Sequence, residues 1–309
     1  MKLKTVGILG VGAVGCYVLW GLSQKPDVSV CVIADGERKA RLQRDGMVIN
    51  GTTYHPVVKT PAQAHGVDVL IVAVKYHALH DAVTDIQTIT DEHTIVLSLM
   101  NGVDSEQTIA QAVGAQHVIP ALIKIASERD GNSVRFAPES TIGMIYGESD
   151  PAASPERIEA LNELFADTGL HYRATDVIQS EIWSKFRLNV ANNLVQAVIG
   201  CGIGAYQDSE HAAFLKRKLS DEVDAVAAAK GIDISLADNV LPKGSIGKKS
   251  ARYSTLQDLD AGRKTEIDMF SGAVIRMGEQ LGVATPYNEC IYHMIKALEE
   301  KNAGLFAYD

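Results

Sequence analysis

The sequence lacks any cluster of residues that could form disulfides or hold a metal. Its cysteines lie far apart, with no C-x-x-C pair and no cysteine–histidine group. A disulfide framework and a structural zinc site are therefore disfavoured, and we expect reduced thiols in a cytoplasmic protein that binds no metal. The four cysteines are Cys16, Cys31, Cys201 and Cys290.

The sequence is also short of positive charge and of long apolar runs. It has 29 lysines and arginines against 38 aspartates and glutamates, a net charge of −9, which disfavours a general nucleic-acid binder. The apolar stretch from Val6 to Leu22 is interrupted by glycines, and no other run reaches the roughly 18 residues of a membrane span. We therefore predict a soluble, unprocessed chain whose partner is neither a nucleic acid nor a membrane.

Short apolar runs alternate with helical patterns in the first half of the chain. Strands are predicted at Val6–Leu9, Val28–Ile33, Val67–Val74, Thr94–Leu99, Val118–Ile125 and Thr141–Ile145, and helices at Ala13–Leu22 and Pro155–Asp167. Asp104 or Ser105 is a plausible N-cap for a further helix that extends to Ala112. Strands that alternate with helices pair in parallel, so this half predicts an α/β fold with a doubly wound sheet.

Long helical patterns take over from about Asp176. The predicted helices there are Val177–Val198, Ser209–Lys230 and Thr265–Leu281. A mobile loop is predicted at Pro242–Ser254, which contains three lysines, two glycines and an arginine. The sequence therefore predicts two domains, an α/β domain over residues 1–175 and an all-helical domain over 176–309.

A glycine motif lies between the first strand and the first helix. Residues 10–15 read G-x-G-x-x-G, with Ala13 and Val14 between the second and third glycines. In this context Gly10 allows a tight turn, Gly12 lets the backbone approach a pyrophosphate, and Gly15 lets helix and strand pack closely. The motif predicts a dinucleotide site.

The choice of dinucleotide depends on Asp35, which follows the second strand. A carboxylate there accepts hydrogen bonds from the ribose of NAD and repels the 2′-phosphate of NADP. Arg38, Lys39 and Arg41 follow closely, and one of them could hold NADP instead. Asp35 is also a typical turn residue before Gly36. On balance the sequence favours NAD.

Polar residues recur on one face of an otherwise apolar helix. Lys185, Asn189 and Asn193 are spaced four residues apart, and asparagine is a poor residue for a helix interior. The pattern indicates either a ligand-binding face or a solvated one.

Two later segments carry further polar side chains. Ser254 with Gln257, and Thr265 with Asp268, both fit helix capping boxes. On pattern alone, that structural role is the better explanation.

Taken together and in order, these motifs resemble the ketopantoate reductase (2-dehydropantoate 2-reductase) family. The resemblance rests on G-x-G-A-x-G, W-x-K-x-x-x-N-x-x-x-N at 183–193 and S-x-L-Q-D followed by T-E-I-D at 254–268. It extends along nearly the whole chain, including Val74-Lys75, Asn101-Gly102 and the Gly143 to Gly147 region. It implies a Rossmann-type N-terminal domain, a helical substrate-binding and catalytic domain, and a substrate site in the cleft between them.

The resemblance also implies roles for individual residues. It makes Lys185 the general acid and Glu266 its partner carboxylate. The implied substrate-binding residues are Asn101, Asn189, Asn193 and Ser254. The implied cofactor-binding residues are Gly10, Gly12, Ala13, Val14, Gly15, Asp35, Lys75 and Asn101.

The expected function is hydride transfer from NAD(P)H to a small-molecule 2-oxo acid, with 2-dehydropantoate reduced to D-pantoate. Three departures from the family pattern keep alternatives open: Asp35 where an arginine is common, Ile203 where an asparagine contacts substrate, and Ala78 where a glutamine is frequent. They suit an NAD-dependent D-2-hydroxy-acid (D-mandelate-like) dehydrogenase acting on branched or aromatic 2-oxo acids. A more remote alternative is a non-catalytic dinucleotide sensor.

A homodimer is one option for the oligomeric state, which the sequence does not fix.

Overall fold

The structure is a computed structural model that describes residues 2–150, 152–238, 248–306 and 308. Residues 242–247 of the mobile loop predicted at Pro242–Ser254 lie outside the described residues. The chain forms two compact units, one of residues 2–100 and 105–178 and the other of 101–104, 179–238 and 248 onward. The assignment of 1–175 and 176–309 to separate functional domains stays a prediction.

In the part of the chain that the structure describes, the first unit contains the strands and five α-helices. The strands are β1 (Thr5–Leu9), β2 (Ser29–Ile33), β3 (Met47–Ile49), β4 (Thr52–Tyr54), β5 (Val57–Lys59), β6 (Val69–Val72), β7 (Ile95–Ser98), β8 (Val118–Ile119), β9 (Ala121–Lys124), β10 (Ser127–Asp130), β11 (Ser133–Phe136), β12 (Gly143–Tyr146) and β13 (Tyr172–Ala174). The helices are α1 (Ala13–Leu22), α2 (Gly36–Asp45), α3 (Leu79–Ile89), α4 (Ser105–Val113) and α5 (Glu156–Phe165).

Six strands form a parallel sheet in the order β5-β2-β1-β6-β7-β8. Alternate residues of these strands belong to different apolar clusters: Ile8 packs with α1, whereas Leu9 packs with α3 and α4. Both faces of the sheet are therefore buried, as continuous apolar runs require. The predicted doubly wound sheet is confirmed. The strand order reverses beside β1, which is where α/β sheets of this kind bind ligands.

Two smaller sheets complete the first unit. One has the order β10-β11-β3-β4 and the other β13-β12-β9. The single strand predicted at Val118–Ile125 is wrong: Pro120 separates β8 from β9, which join different sheets. Proline has no N–H to donate to a ladder, so the chain changes sheets there.

The second unit is helical, and the predicted helical C-terminal part is confirmed. Its helices are α6 (Ile178–Ile199, whose first residue belongs to the first unit), α7 (Ala205–Asp208), α8 (Glu210–Ala229), α9 (Ser254–Asp260), α10 (Ser271–Leu281) and α11 (Pro286–Asn302). The helix predicted from Thr265 begins instead at Ser271. Among the described residues, no helix is long and apolar enough to span a membrane.

Candidate functional site

The glycine turn after β1 is built for close approach of a ligand to the backbone. Gly10 has φ +101°, and a Cβ there would lie 2.6 Å from the carbonyl oxygen of Ala73. Gly12 is the N-cap of α1, and no side chain caps that helix. A Cβ on Gly12 would meet a single atom within 4 Å, Nη1 of Arg129 at 3.7 Å. The space beside Gly12 is therefore open, next to the first-turn amides of Ala13 and Val14.

Asp35 lies just beyond β2 and caps the next helix. It is the N-cap of α2, and its Oδ1 accepts a hydrogen bond of 2.7 Å from the backbone N–H of Gly36. The side chain is exposed. On α3, partial burial raises the pKa of Asp85, and the charge of Asp35 raises it further. Two carboxylates therefore share the region at the end of β2. Asp35 also has the structural role before Gly36 that the sequence suggested, as the cap of α2.

Lys75 follows β6, the neighbour of β1 on the side opposite β2. It precedes a short 3₁₀ turn over Tyr76–Ala78 and is exposed. The predicted cofactor residues of the first unit therefore follow the carboxyl ends of three adjacent parallel strands, β2, β1 and β6.

Lys185 projects from α6 in the second unit and meets Asn101, which belongs to the same unit. Its Nζ donates a hydrogen bond of 2.8 Å to Oδ1 of Asn101, and the lysine is half-buried. The flanking Trp183 and Phe186 are buried, with their rings 5.7 Å apart. Because α6 is buried on both sides of Lys185, the backbone that carries this flexible side chain is fixed in place.

Asn193 on α6 and Ser254, the first residue of α9, form a second polar pair. Nδ2 of Asn193 donates to Oγ of Ser254 at 3.5 Å, and Asn193 is buried. The capping-box interpretation of Ser254 is wrong, because Tyr253 is the N-cap of α9 and no side chain caps that helix. The Ser254 hydroxyl is therefore directed to an amide of α6. Asn189 lies one turn from both Lys185 and Asn193 and is half-buried.

Gln196 holds the segment before α9, and our sequence analysis missed it. Its Nε2 donates to the carbonyl oxygen of Ala251 at 2.9 Å, and its Oε1 accepts from the N–H of Tyr253 at 2.6 Å. The side chain is fully buried. An amide within the apolar run Leu194–Ile199 was the signal that could have identified it.

Glu266 lies in a buried turn that precedes α10. Thr265 donates from both its N–H and its hydroxyl to Oε1 of Glu299, at 2.6 Å each, and accepts from the N–H of Ile267. The predicted capping box with Asp268 is wrong, since that carboxylate accepts from Tyr292 and Lys296 on α11 instead. These contacts explain why the helix begins later than predicted.

Two contacts bring the turn with Glu266 next to the other site segments. A Cβ on Gly102, whose φ is +96°, would lie 2.7 Å from Cγ of Met269. The ring of Phe270 lies 6.4 Å from that of Phe186, the residue after Lys185. The segments that carry Asn101, Lys185 and Glu266 therefore pack together.

The second unit thus offers a half-buried ammonium held by an amide, with further amides along the same helix and a hydroxyl of α9 beside one of them. Such a set can donate a proton and can hydrogen-bond carboxylate and hydroxyl groups. Among the described residues, no group of three or more histidine, cysteine, aspartate or glutamate side chains could hold a metal ion.

Comparisons with known proteins cover almost the whole chain. The family model described as ketopantoate reductase PanE/ApbA matches residues 6–146, and the model of its C-terminal part matches 177–299. The chain is 27% identical to a 2-dehydropantoate 2-reductase of Archaeoglobus fulgidus, over 97% of this chain and 99% of the relative. It is 29% identical to one of Caulobacter vibrioides, over 96% and 99%.

Solved structures share the fold. A ternary structure of D-mandelate dehydrogenase with NADH and anilino(oxo)acetate superposes with a TM-score of 0.84 at 22% identity, covering 97% of this chain and 99% of that one. A PanE/ApbA family ketopantoate reductase from Ralstonia eutropha superposes with a TM-score of 0.80 at 25% identity, covering 97% and 100%.

Proposed function

The chain belongs to the ketopantoate reductase family, and from this we propose that it is an NAD(P)-dependent 2-oxo acid reductase that converts 2-dehydropantoate to D-pantoate. The observation that carries the proposal is the Lys185–Asn101 hydrogen bond of 2.8 Å. It holds an ammonium group in a half-buried site, where it can serve as a general acid.

The first unit fits the cofactor that this reaction needs. The open space at Gly12 and the uncapped first turn of α1 suit a pyrophosphate. When bound, the reduced nicotinamide dinucleotide supplies the hydride. The residues that would hold it are Gly10, Gly12, Ala13, Val14, Gly15, Asp35, Lys75 and Asn101.

Lys185 acts on the substrate oxygen. As the carbonyl carbon is reduced, negative charge develops on its oxygen, which the ammonium stabilises and then protonates. Asn101 accepts from the same Nζ and so fixes its direction. Glu266, in the turn that packs beside Asn101, is proposed to keep the lysine charged.

The amides farther along α6 recognise the substrate. Asn189 and Asn193 present donors and acceptors on the same face as Lys185, and Ser254 is held beside Asn193. We assign the substrate carboxylate and hydroxyl groups to these three residues, because such groups require both donors and acceptors.

The role of Lys185 is tested by substitution. Lys185→Ala should lower kcat by about 10²–10⁴, the usual contribution of general acid catalysis, with dinucleotide affinity unchanged. Lys185→Arg keeps the positive charge but gives up no proton at neutral pH, so it should remain slow. Lys230→Ala, at an exposed lysine after α8, is the matched control. Near-wild-type turnover in Lys185→Ala would refute the assignment.

Substrate class is tested by initial rates of NADH and NADPH oxidation with 2-dehydropantoate and with phenylglyoxylate. Faster turnover of 2-dehydropantoate supports the proposed reaction. Preference for phenylglyoxylate would support the second candidate, a D-2-hydroxy-acid dehydrogenase. Ile203 favours that candidate, because it places an apolar, half-buried residue in the segment that pairs with Ala251, just before α9. Dinucleotide binding with no turnover of either would indicate a sensor.

We further propose that NADH is preferred over NADPH. The carboxylates of Asp35 and Asp85 share the region where a 2′-phosphate would bind, and like charges repel. Asp35→Ser removes the charge that repels the 2′-phosphate but keeps the helix cap, because serine also caps helices and carries no charge. It should shift the ratio of the two dissociation constants toward NADPH by about tenfold, or about 1.4 kcal/mol. An unchanged ratio would leave Asp35 a capping residue only.

A homodimer is the oligomeric state we propose. Large apolar side chains are exposed on two helices of the second unit, among them Leu215 on α8 and Met294 on α11, which also line one apolar groove. Exposed apolar patches of this kind mark association surfaces. Light scattering of the purified protein should give twice the monomer mass, and a monomer at micromolar concentration would contradict this.

A further inference from the structure

Arg129 is a cation beside the glycine turn that the sequence motif did not include. It lies on β10, and its Nη1 is 3.7 Å from where a Cβ on Gly12 would be. Its Nε donates a hydrogen bond of 3.0 Å to the carbonyl oxygen of Gly131, in the turn between β10 and β11. The guanidinium is thus oriented by its own hairpin and ends at the N-terminus of α1.

The hairpin that carries Arg129 packs against α1. The ring of Phe136, on β11, packs edge-on against Tyr17 and Trp20 at 5.2 and 5.6 Å. Strand β11 also pairs in parallel with β3. The position of Arg129 relative to α1 is therefore set by a buried aromatic contact, although the arginine itself is exposed.

The positive charge of Arg129 lowers the pKa values of two neighbouring side chains. Burial raises the pKa of Cys16 on α1 to about 11, and the positive charge of Arg129 opposes that rise. On α2, burial lowers the pKa of Arg38, and the charges of Arg129 and Arg41 lower it further. Arg129 and Arg41 therefore both repel Arg38, and an anion bound between these guanidinium groups would relieve that repulsion.

We propose that Arg129 binds the pyrophosphate of the dinucleotide at the N-terminus of α1, with Arg38 and Arg41 adding positive charge on the α2 side. The inference rests on the proposed function, since it presupposes a dinucleotide cofactor. A guanidinium fork matches phosphate oxygens bidentately, and the helix amides approach the same anion. Arg129 thus closes over the side of the pyrophosphate that the glycine turn leaves open.

The test is a set of dissociation constants for Arg129→Ala, measured by titration calorimetry without substrate. NADH, NADPH and ADP all contain the pyrophosphate, and each should bind about 10- to 100-fold more weakly than to the wild type, as loss of a charge-assisted hydrogen bond predicts. AMP, which lacks the pyrophosphate, should lose much less. Arg129→Lys should recover part of the affinity. Arg135→Ala, at an exposed arginine on the same hairpin, is the matched control and should change nothing.

Other outcomes overturn the inference in distinguishable ways. Weaker binding of NADPH alone would place Arg129 at the 2′-phosphate instead of the pyrophosphate. Unchanged affinity for all three ligands would remove Arg129 from the cofactor site and leave the proposed function intact. A wild-type protein that binds none of them would refute the proposed function together with this inference. Because Arg129 is exposed, an unchanged melting temperature should confirm that each variant is folded.

Discussion

Gln196→Met tests the buried amide that holds the segment leading into α9. Methionine has a similar length, so the change removes both hydrogen bonds of Gln196 while filling most of its volume. It leaves the N–H of Tyr253 without its partner, while the carbonyl of Ala251 keeps the hydrogen bond from the N–H of Ile203. An unsatisfied buried group costs about 1–3 kcal/mol, and Tyr253 is exposed enough for water to replace part of the loss. We expect the free energy of unfolding to fall by about 1–3 kcal/mol.

The assay is urea denaturation followed by tryptophan fluorescence. The protein has two tryptophans, Trp20 in the first unit and Trp183 in the second. In a Trp20→Phe background the signal reports the second unit alone, which makes a two-state treatment more secure. Hydrogen exchange at the amide of Tyr253 should accelerate, and KM for the 2-oxo acid should rise because Ser254 follows directly.

The control is Gln207→Met, at an exposed glutamine of α7 in the same unit. Surface substitutions of this kind change stability by about 0.5 kcal/mol or less. If Gln196→Met destabilises no more than the control does, the two hydrogen bonds do not hold the segment. A normal KM alongside the expected destabilisation would show that the segment does not position Ser254.

Two further predictions concern the second unit. Gly102→Ala should lower both the melting temperature and kcat, because it strains a residue at φ +96° and drives a Cβ into Met269. Gly231→Ala, at φ +74° with nothing within 4 Å, carries the strain without the clash, and equal loss in both variants would refute the packing argument. For Asp268, burial raises its pKa, but hydrogen bonds from Lys296 and Tyr292 outweigh it and hold the pKa below its ordinary value. Its stabilisation is thus present above the unfolded pKa of about 4 and is lost as pH falls through the folded value, so the Tm advantage over Asp268→Asn should shrink below about pH 4.

The sequence predicted the parts of the fold that follow local patterns. The spacing of Lys185, Asn189 and Asn193 placed them on one helical face. The alternation of apolar strands with helices predicted the buried parallel sheet. The partners of these residues come from distant segments, and no local pattern reveals that Lys185 meets Asn101 or that Asn193 meets Ser254. Capping boxes were a reasonable interpretation of two segments whose side chains instead bond to other helices.

Two elements that our sequence analysis missed carry local signals that could have identified them. Strand β10 reads Ser-Glu-Arg-Asp and has no apolar alternation, yet the Asp130-Gly131 pair before β11 is a recognisable hairpin signal. Helix α11 begins at Pro286, and proline at a first helical position is likewise a start signal that could have been used. Pro120 was the signal for the break between β8 and β9, because proline has no N–H to donate within a sheet.

The continuity of α6 gives the proposed site a fixed length scale. A helix rises about 1.5 Å per residue, so Asn189 and Asn193 stand about 6 and 12 Å along the axis from Lys185. Inserting one residue between Lys185 and Asn193 would rotate the amides by about 100° away from the lysine's face. Relatives of this chain can therefore exchange side chains along the row to fit new substrates, but they cannot lengthen or shorten the row one residue at a time.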